Sequence, residues 1–320
     1  MKHMIVLDMS TIFYRAFYVH NLNDLEQWSN VAHMTCLNIL NKIRKTHDPD
    51  KIVLVFDRDN WREDYLNSDK AISKHKYKGH RRKSMTPSQL ETYKVFKQFG
   101  KDFQNIMIEA TSLPCLYADK LEADDIIAGL CRVYGGEDNS TNNKLMGYKP
   151  VDGYKVTIIS TDRDMIQLLR YSNVEIIDAK TGKQITLDNE GFDTVDYYLY
   201  QKSMTGDSGD NIKSAYPKYR KKKIREAFED PYKHTNLMNC EWINENEETM
   251  IVGQLFNENR LLVDLAHQPD DIQQIMWDTI ENGLSTKKRY DMFKFIKYTG
   301  RHNLVRVKEF LSSYEPLIDF

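Results

Sequence analysis

The chain has 320 residues, 41% of them hydrophobic and 29% charged, with a net charge of −2. That is ordinary for a soluble globular protein with a sizeable core in one or two domains, and no apolar run approaches the roughly 18–20 residues of a membrane span. Four scattered cysteines with no C-x-x-C pair point to the cytoplasm and away from a disulfide scaffold or zinc site, and the strand-like MIVLD at the start leaves no room for a signal peptide.

In chain order, Met4–Leu7 is a strand ending in Asp8, and Ile52–Phe56 a second ending in Asp57. Ile106–Ile108 reads as a short strand. Val156–Ile159 leads into Asp162 and Asp164, and Val174–Ile177 follows. Continuous aliphatic runs of this kind predict strands buried on both faces of a mainly parallel sheet. Helices are predicted near Ser29–Lys45, Pro87–Phe103, Ala118–Tyr134 and Arg163–Arg170. The second has Thr86 as N-cap, Pro87 at the first position and Gln89 completing a capping box. Gly135–Gly153 reads as a long polar loop. Beyond residue 200 the strand-like runs stop, and helices are predicted near Glu247–Leu265, Ile272–Glu281, Lys287–Tyr298 and Leu304–Ser312. The expected fold is therefore α/β, a central mainly parallel sheet flanked by helices over residues 1–200, with a helical domain over 201–320.

The most telling stretch is Asp119–Leu130 (DKLEADDIIAGL), where Glu122, Asp124 and Asp125 crowd three carboxylates into four residues. On a helix Glu122 and Asp125 share a face, with Asp119 a turn below. A solvated acidic face is the plain reading and a divalent cation the sharper one, since Mg²⁺ takes oxygen ligands and cancels the repulsion. The sharper reading gains because Asp8, Asp57, Asp162 and Asp164 lie at strand ends, where open parallel sheets bind ligands. Asp207 and Asp210 in TGDSGDN add a further pair. These are too many for one ion and suit two, as in phosphoryl-transfer sites. No phosphate-cradling glycine loop or dinucleotide fingerprint is present.

The small net charge hides segregation. Lys70–Lys83 holds seven Lys/Arg and no acid, and Lys213–Arg225 the same. Lys70, Lys74, Lys76, Lys78, Arg81, Arg82 and Lys83, with Tyr77 among them and Trp61 and Tyr65 just before, suit phosphates and stacked bases. Lying between the second strand and the helix from Pro87, this basic arch at about 58–86 is expected to pass over the acids. It is too polar to order before substrate arrives.

The order Asp8, Asp57, YKxxR (Tyr77, Lys78, Arg81), E-x-D-D (Glu122, Asp124, Asp125), TDRD (Asp162, Asp164) and TGDxxDN (Asp207, Asp210, Asn211) resembles the flap endonuclease-type 5′-nucleases. Within them it looks closest to the T-even phage ribonuclease H branch. The resemblance implies a 5′→3′ exonuclease and flap endonuclease that removes RNA primers and nearby DNA during replication. It implies two Mg²⁺, with Mn²⁺ able to substitute. Asp8, Asp57, Asp125 and Asp162, with Glu122 and Asp124, would surround the first ion, and Asp164, Asp207 and Asp210 would serve the second. Asp125 is expected to be essential for cleavage, and Lys78 and Arg81 to act at the scissile phosphate. Family members often follow TGDxxDN with a glycine-rich helical element that binds potassium. Here no glycine falls between Gly209 and Gly253, which speaks against potassium and turns attention to Lys218, Arg220, Lys221, Lys222 and Lys223 for duplex backbone. The implied partners are flap or nicked duplex DNA and RNA–DNA hybrid, with a single-stranded-DNA-binding protein and a sliding clamp. The expected state is a monomer in the cytoplasm, the host's for a phage protein. Rival readings are a PIN-type ribonuclease and a non-catalytic DNA-junction binder. The first would lack the basic arch, and the second would gain by shedding negative charge.

Overall fold

The aliphatic runs build a six-stranded sheet in the order β3-β2-β1-β4-β5-β6. The coordinates are a computed structural model and describe residues 1–20, 22–79, 85–139 and 150–320. β1 (Lys2–Asp8), β2 (Lys51–Val55), β3 (Cys115–Leu116), β4 (Tyr154–Ser160) and β5 (Val174–Asp178) are parallel, and β6 (Gln184–Ile185) is an antiparallel edge. Met4, Ile5, Val6 and Leu7 in β1 are all 0% exposed. Helices cover both faces of a parallel sheet, so the side chains of Met4–Asp8 are shut off from water, and only Lys2 and His3 at the start of the strand reach it. The chain runs outward from β1 to β2 and β3, then returns to β4 on the other side of β1. This reversal opens a crevice at the carboxyl ends of β1 and β4, the usual ligand position in such sheets.

On one face, α1 (Met9–Tyr18), α2 (Leu25–His47) and α4 (Pro87–Ala110) share a core with the sheet. The short α3 (Trp61–Leu66) follows β2. The capping box at Thr86 and Gln89 is formed. Residues 106–108 are not a strand: Ile106, Met107 and Ala110 continue the buried stripe of Phe99 and Phe103 to the end of α4. The strand comes later, in the two-residue β3. On the other face lies α5 (Ala123–Tyr134), and residues 163–170 form a 3₁₀ helix.

Beyond residue 194 come α6 (Val195–Thr205), α7 (Lys221–Glu229), α8 (Pro231–Met238), the hairpin β7 (Glu241–Ile243) and β8 (Thr249–Ile251), and α9 (Val252–Val263). The helix predicted from Glu247 starts late because Asn244 Oδ1 accepts from the N–H groups of Asn246 and Glu248, a local turn that a helix cannot contain. Last are α10 (Asp270–Ser285), α11 (Met292–Arg301), α12 (Val305–Glu309) and α13 (Leu311–Ile318). Packing does not follow a cut at residue 200. Met204, Ala215, Ile224, Leu237 and Phe256 form a small core of their own, whereas the helices after Pro269 are built into the two cores flanking the sheet. Gly129 lets α10 close on α5, since a Cβ there would lie 2.6 Å from Ile280 Cδ1. Among the described residues no helix is long and apolar enough to cross a membrane.

His33 on α2 joins this far end of the chain to the first core. It is 0% exposed, its Nδ1 is 2.7 Å from Tyr298 Oη, and its ring lies 3.8 Å from that of His302. Burial, and then His302, push its pKa down to about 2. Since the folded value is depressed, stability is intact while the unfolded imidazole is neutral and is lost as pH falls below about 6.5, by about 1.4 kcal/mol per pH unit. We expect melting temperature to fall between pH 7 and pH 5 more steeply for the wild type than for His33→Gln. Parallel pH profiles would show that another group sets the slope.

Candidate active site

Each acid at the strand ends is fixed by local backbone. Asp8 ends β1 and caps α1: Oδ1 accepts from the N–H groups of Ser10 and Thr11 at 3.1 and 3.3 Å. The hydroxyls of Thr11 and Ser160 donate to Oδ2 at 2.6 and 2.8 Å. The cap reading and the site reading of this residue are therefore compatible. Asp57 follows β2 and accepts from Ala123 N–H, 2.8 Å away at the start of α5. Asp162 accepts from Asp164 N–H at 2.8 Å after β4, and Asp124 lies in the first turn of α5.

These charges press on one another. Crowding by the surrounding protein, then Asp8, pushes Asp57 up to about 6. Crowding and then Asp164 push Asp162 up to about 6. Burial, then Asp162, Asp8, Glu122 and Asp57, raise Asp124 well above the carboxylate range. Yet Asp57 and Asp162 keep one side open to water. Carboxylates that repel one another and still face an opening are the donor set a hard divalent cation takes, and the residues fit one.

A second group forms at the crevice rim, where Asp164, Asp207 and Asp210 each place a carboxylate oxygen within 4.8 Å of the others. The turn holding the last two depends on Gly206, whose φ of +70 and closeness to Ile212 O, 2.4 Å from a built Cβ, exclude any side chain. Asp207 Oδ1 accepts from the N–H groups of Gly209 and Asp210, at 2.7 and 3.3 Å. Lys202 on α6 donates to Asp164, and to Asp207 Oδ2 at 2.9 Å. Tyr198 donates to Asp164 Oδ1 at 3.2 Å.

Lys78 spans the two groups. Its Nζ is 2.6 Å from Glu122 Oε1 and 3.6 Å from Asp210 Oδ1. Burial opposes its charge, but Glu122 and then Asp210 hold the ammonium up at about 12. Its φ of +51 is unusual for a lysine, and its N–H is held by Asp210 O at 2.9 Å.

Four expectations are corrected. Asp125 does not face the acids. It is 0% exposed, its oxygens accept from Arg62 Nη1 and Nη2 at 3.0 and 2.9 Å, and Gln268 Nε2 donates to it at 2.9 Å. α5 starts at Ala123 with Glu122 as its N-cap, which turns Asp125 inward and leaves Asp119 off the helix. Tyr77 is no stacking platform: it is 4% exposed and its hydroxyl donates to Asp210 Oδ2 at 2.8 Å and to Glu122 Oε2 at 3.1 Å. Trp61 is also buried, at 3% exposure. Residues 72–79 do not hang free of the rest of the protein. Glu258 on α9 accepts from the N–H groups of Ile72 and Ser73 at 2.6 and 2.9 Å and from the Ser73 hydroxyl, and Asn211 Nδ2 donates to Lys76 O at 2.9 Å.

Lys70, Lys74 and Lys76 are exposed on the stretch leading to Lys78. Arg81, Arg82 and Lys83 lie outside the described residues. Lys218, Arg220, Lys221, Lys222 and Lys223 are exposed around the N-terminus of α7, just after Asp210 in sequence and on the segment with its own core. Sequence reasoning missed Arg62, Lys202 and Glu258. Lys202 alone left a signal, as the single cation of the aromatic-rich helix Val195–Thr205.

Residues 3–195 match the family of the 5′-3′ exonuclease N-terminal resolvase-like domain, and the chain belongs to that family. It is 28% identical over 219 residues to a 5′-3′ exonuclease of Buchnera aphidicola and 26% identical over 231 residues to a DNA polymerase I of Rhizobium leguminosarum. Each match takes in 66% of this chain. The chain spans 64% of the exonuclease and 19% of the polymerase. Its fold is similar to a bacteriophage T5 flap endonuclease solved as a pseudo-enzyme–product complex with DNA and metal ions. That match has a TM-score of 0.62 at 19% identity, over 89% of this chain and 100% of the other. It is also similar to a T5 5′-exonuclease bound to zinc, with a TM-score of 0.60 at 19% identity over 88% and 100%.

The two kinds of carboxylate should separate on melting. Asp57→Asn in chelator relieves repulsion and is expected to raise melting temperature while abolishing divalent-ion-dependent cleavage. Asp125→Asn takes from a buried guanidinium one of its two carboxylate partners, and since breaking a buried ion pair is strongly destabilising it is expected to lower melting temperature sharply. Asp125→Asn that melts like the wild type would undo this division.

Proposed function

We propose that the chain is a divalent-metal-dependent, structure-specific 5′-nuclease that hydrolyses phosphodiester bonds in flap or nicked duplex DNA and RNA–DNA hybrid. The observation that carries the reading is the meeting of two carboxylate groups at one sheet edge beneath a lysine held in a left-handed backbone conformation. Family membership and the all-oxygen donor set support it.

Asp8, Asp57, Asp124 and Asp162, with Glu122, would hold a first Mg²⁺, and Asp164, Asp207 and Asp210 a second, with Mn²⁺ able to replace either. Bound there, such ions supply charge stabilisation to the attacking and leaving oxygens of phosphoryl transfer. The chain's own residues do the rest. Lys78 orients a phosphate over the acids, and its strained backbone keeps the ammonium at the crevice. Glu258 and Asn211 fix the segment that carries it. Arg62 holds Glu122 from below at 3.2 Å and ties it to Leu262 O at 2.8 Å. Tyr14, 62% exposed on the helix that Asp8 caps, lies 4.5 Å from Tyr18 and offers a flat face to unstacked bases. Lys218–Lys223 would grip duplex phosphates. Removal of RNA primers during replication, as in the T-even ribonuclease H branch, is the role this chemistry suits.

The direct test is incubation with a 5′-flap duplex with and without Mg²⁺. Cleavage only with the ion, lost in Asp162→Asn, is expected; no cleavage of flap, nick or hybrid by the wild type would refute the reading. Replacing Lys221, Lys222 and Lys223 with Ala should lower the slope of log affinity against log salt by roughly one per lost phosphate contact, on the flap and not on single-stranded DNA. An unchanged slope on both would place the duplex grip elsewhere.

A further inference from the structure

The reading above rests on carboxylates, yet the rim group already holds a cation of the chain's own. Asp207 Oδ1 is occupied by the backbone N–H groups of Gly209 and Asp210, so Oδ2 is the oxygen left to face an ion. Lys202 Nζ lies 2.9 Å from that atom and also donates to Asp164 Oδ1. The lysine cannot drift. It is carried by α6, only 12% of its side chain is exposed, and its Nζ lies 5.9 Å from the Tyr198 ring, whose hydroxyl bonds the same Asp164 oxygen. Lys78 stands differently, since Glu122 is its nearer partner and its distance to Asp210 is 3.6 Å.

We propose that Lys202 is a resident counter-cation of the second metal position: it competes with a divalent ion for Asp164 and Asp207, and is released toward the substrate when the ion enters. This deepens the nuclease reading and depends on it. In the first group a lysine bonds only the acid at the helix start, Glu122, 2.6 Å from Lys78 Nζ, and none bonds the strand-end acids among the described residues. Asp8 is held by hydroxyls and backbone N–H groups, Asp57 and Asp162 by backbone N–H groups. The two positions should therefore differ in affinity for a reason built into the chain. An ion reaching Asp57 and Asp162 meets carboxylates that no ammonium bonds directly, whereas one reaching Asp164 and Asp207 must first displace an ammonium. Once displaced, that ammonium remains tethered beside the crevice, where the incoming phosphate is the nearest anion of a new kind. The second ion and the phosphate then favour each other's binding, because each takes a partner the other has freed. Lys202 is on this account a positioning residue whose effect on cleavage runs through ion occupancy.

The test is Mn²⁺ binding to the metal-free protein by calorimetry and electron paramagnetic resonance, which needs no turnover. Wild type is expected to show a tighter and a weaker class of sites. Lys202→Met keeps the bulk and removes the charge, and should tighten the weaker class by about tenfold or more while leaving the tighter class in place. Lys202→Gln, which keeps a hydrogen-bond donor, should do the same. A weaker class unchanged or further weakened in both variants, with melting temperatures near the wild type's, would overturn the inference: the lysine would then be building the site and not contesting it. Wild-type protein that takes up no Mn²⁺ would overturn the metal-dependent reading as well, so the two failures are distinguishable.

Discussion

Repulsion among carboxylates is the constraint around which the rest of this molecule is arranged. Four acids from three strand ends and one helix start face the same crevice, and burial, then their mutual repulsion, raises Asp57, Asp124 and Asp162 together. A fold can hold such a group only if the backbone fixing each acid is stable for other reasons. Here the backbone is the end of a sheet whose central strand is buried from Met4 to Asp8 and the N-termini of helices, where N–H groups favour negative charge. The sheet core tolerates the strain that the site creates. Stability and function pull against each other at these residues, as they do wherever a site is built from groups that would prefer to be apart.

The cations divide by burial. Arg62 is 2% exposed and is matched by Asp125, Glu122 and a backbone carbonyl. A guanidinium so enclosed is structural: its fork geometry fixes the N-terminus of α5, and with it Glu122. Lys78 and Lys202 are partly open and hold acids at the crevice. The exposed lysines of Lys70–Lys76 and Lys218–Lys223 face water, with Lys223 reaching Glu226 at 3.4 Å. Water access thus separates the basic side chains into three groups.

Much of this was legible in the sequence, for reasons that can be stated. Buried strands announce themselves as aliphatic runs, and the acids at their ends follow from the rule that such sheets work at their carboxyl edge, so Asp8, Asp57 and Asp162 could be found from position alone. The capping box at Thr86 is local chemistry and was readable too. Asp125 was not, because E-x-D-D looks the same whether the helix begins at Asp119 or at Ala123, and four residues of phase decide which acid turns inward. Arg62 sits in the charged run WRED and reads as surface until the helix it enters is placed against α5. Glu258 reaches Ser73 across 185 residues, a contact no local pattern encodes. Tyr77 failed for the opposite reason: an aromatic ring among lysines fits base stacking, and only the position of Glu122 and Asp210 shows that its hydroxyl is the part in use.

The same contacts explain why the late part of the chain cannot be detached from the site. Arg62 donates to Leu262 O, Gln268 to Asp125, Glu258 accepts from residues 72 and 73, and the turn at Asp207–Asp210 meets Lys78. Four segments that lie far apart in sequence therefore converge on one crevice, and none of them has the site without the others. Such a site forms only when the long-range contacts do, so it completes together with the global fold and not with any one helix or strand. Loosening α9 would unfasten the segment carrying Lys78, through Glu258, and the Arg62 that holds Glu122, through Leu262 O, while leaving the strands and the acids at their ends in place. The acids are set by the sheet, but the lysine above them is set by the helices that follow it.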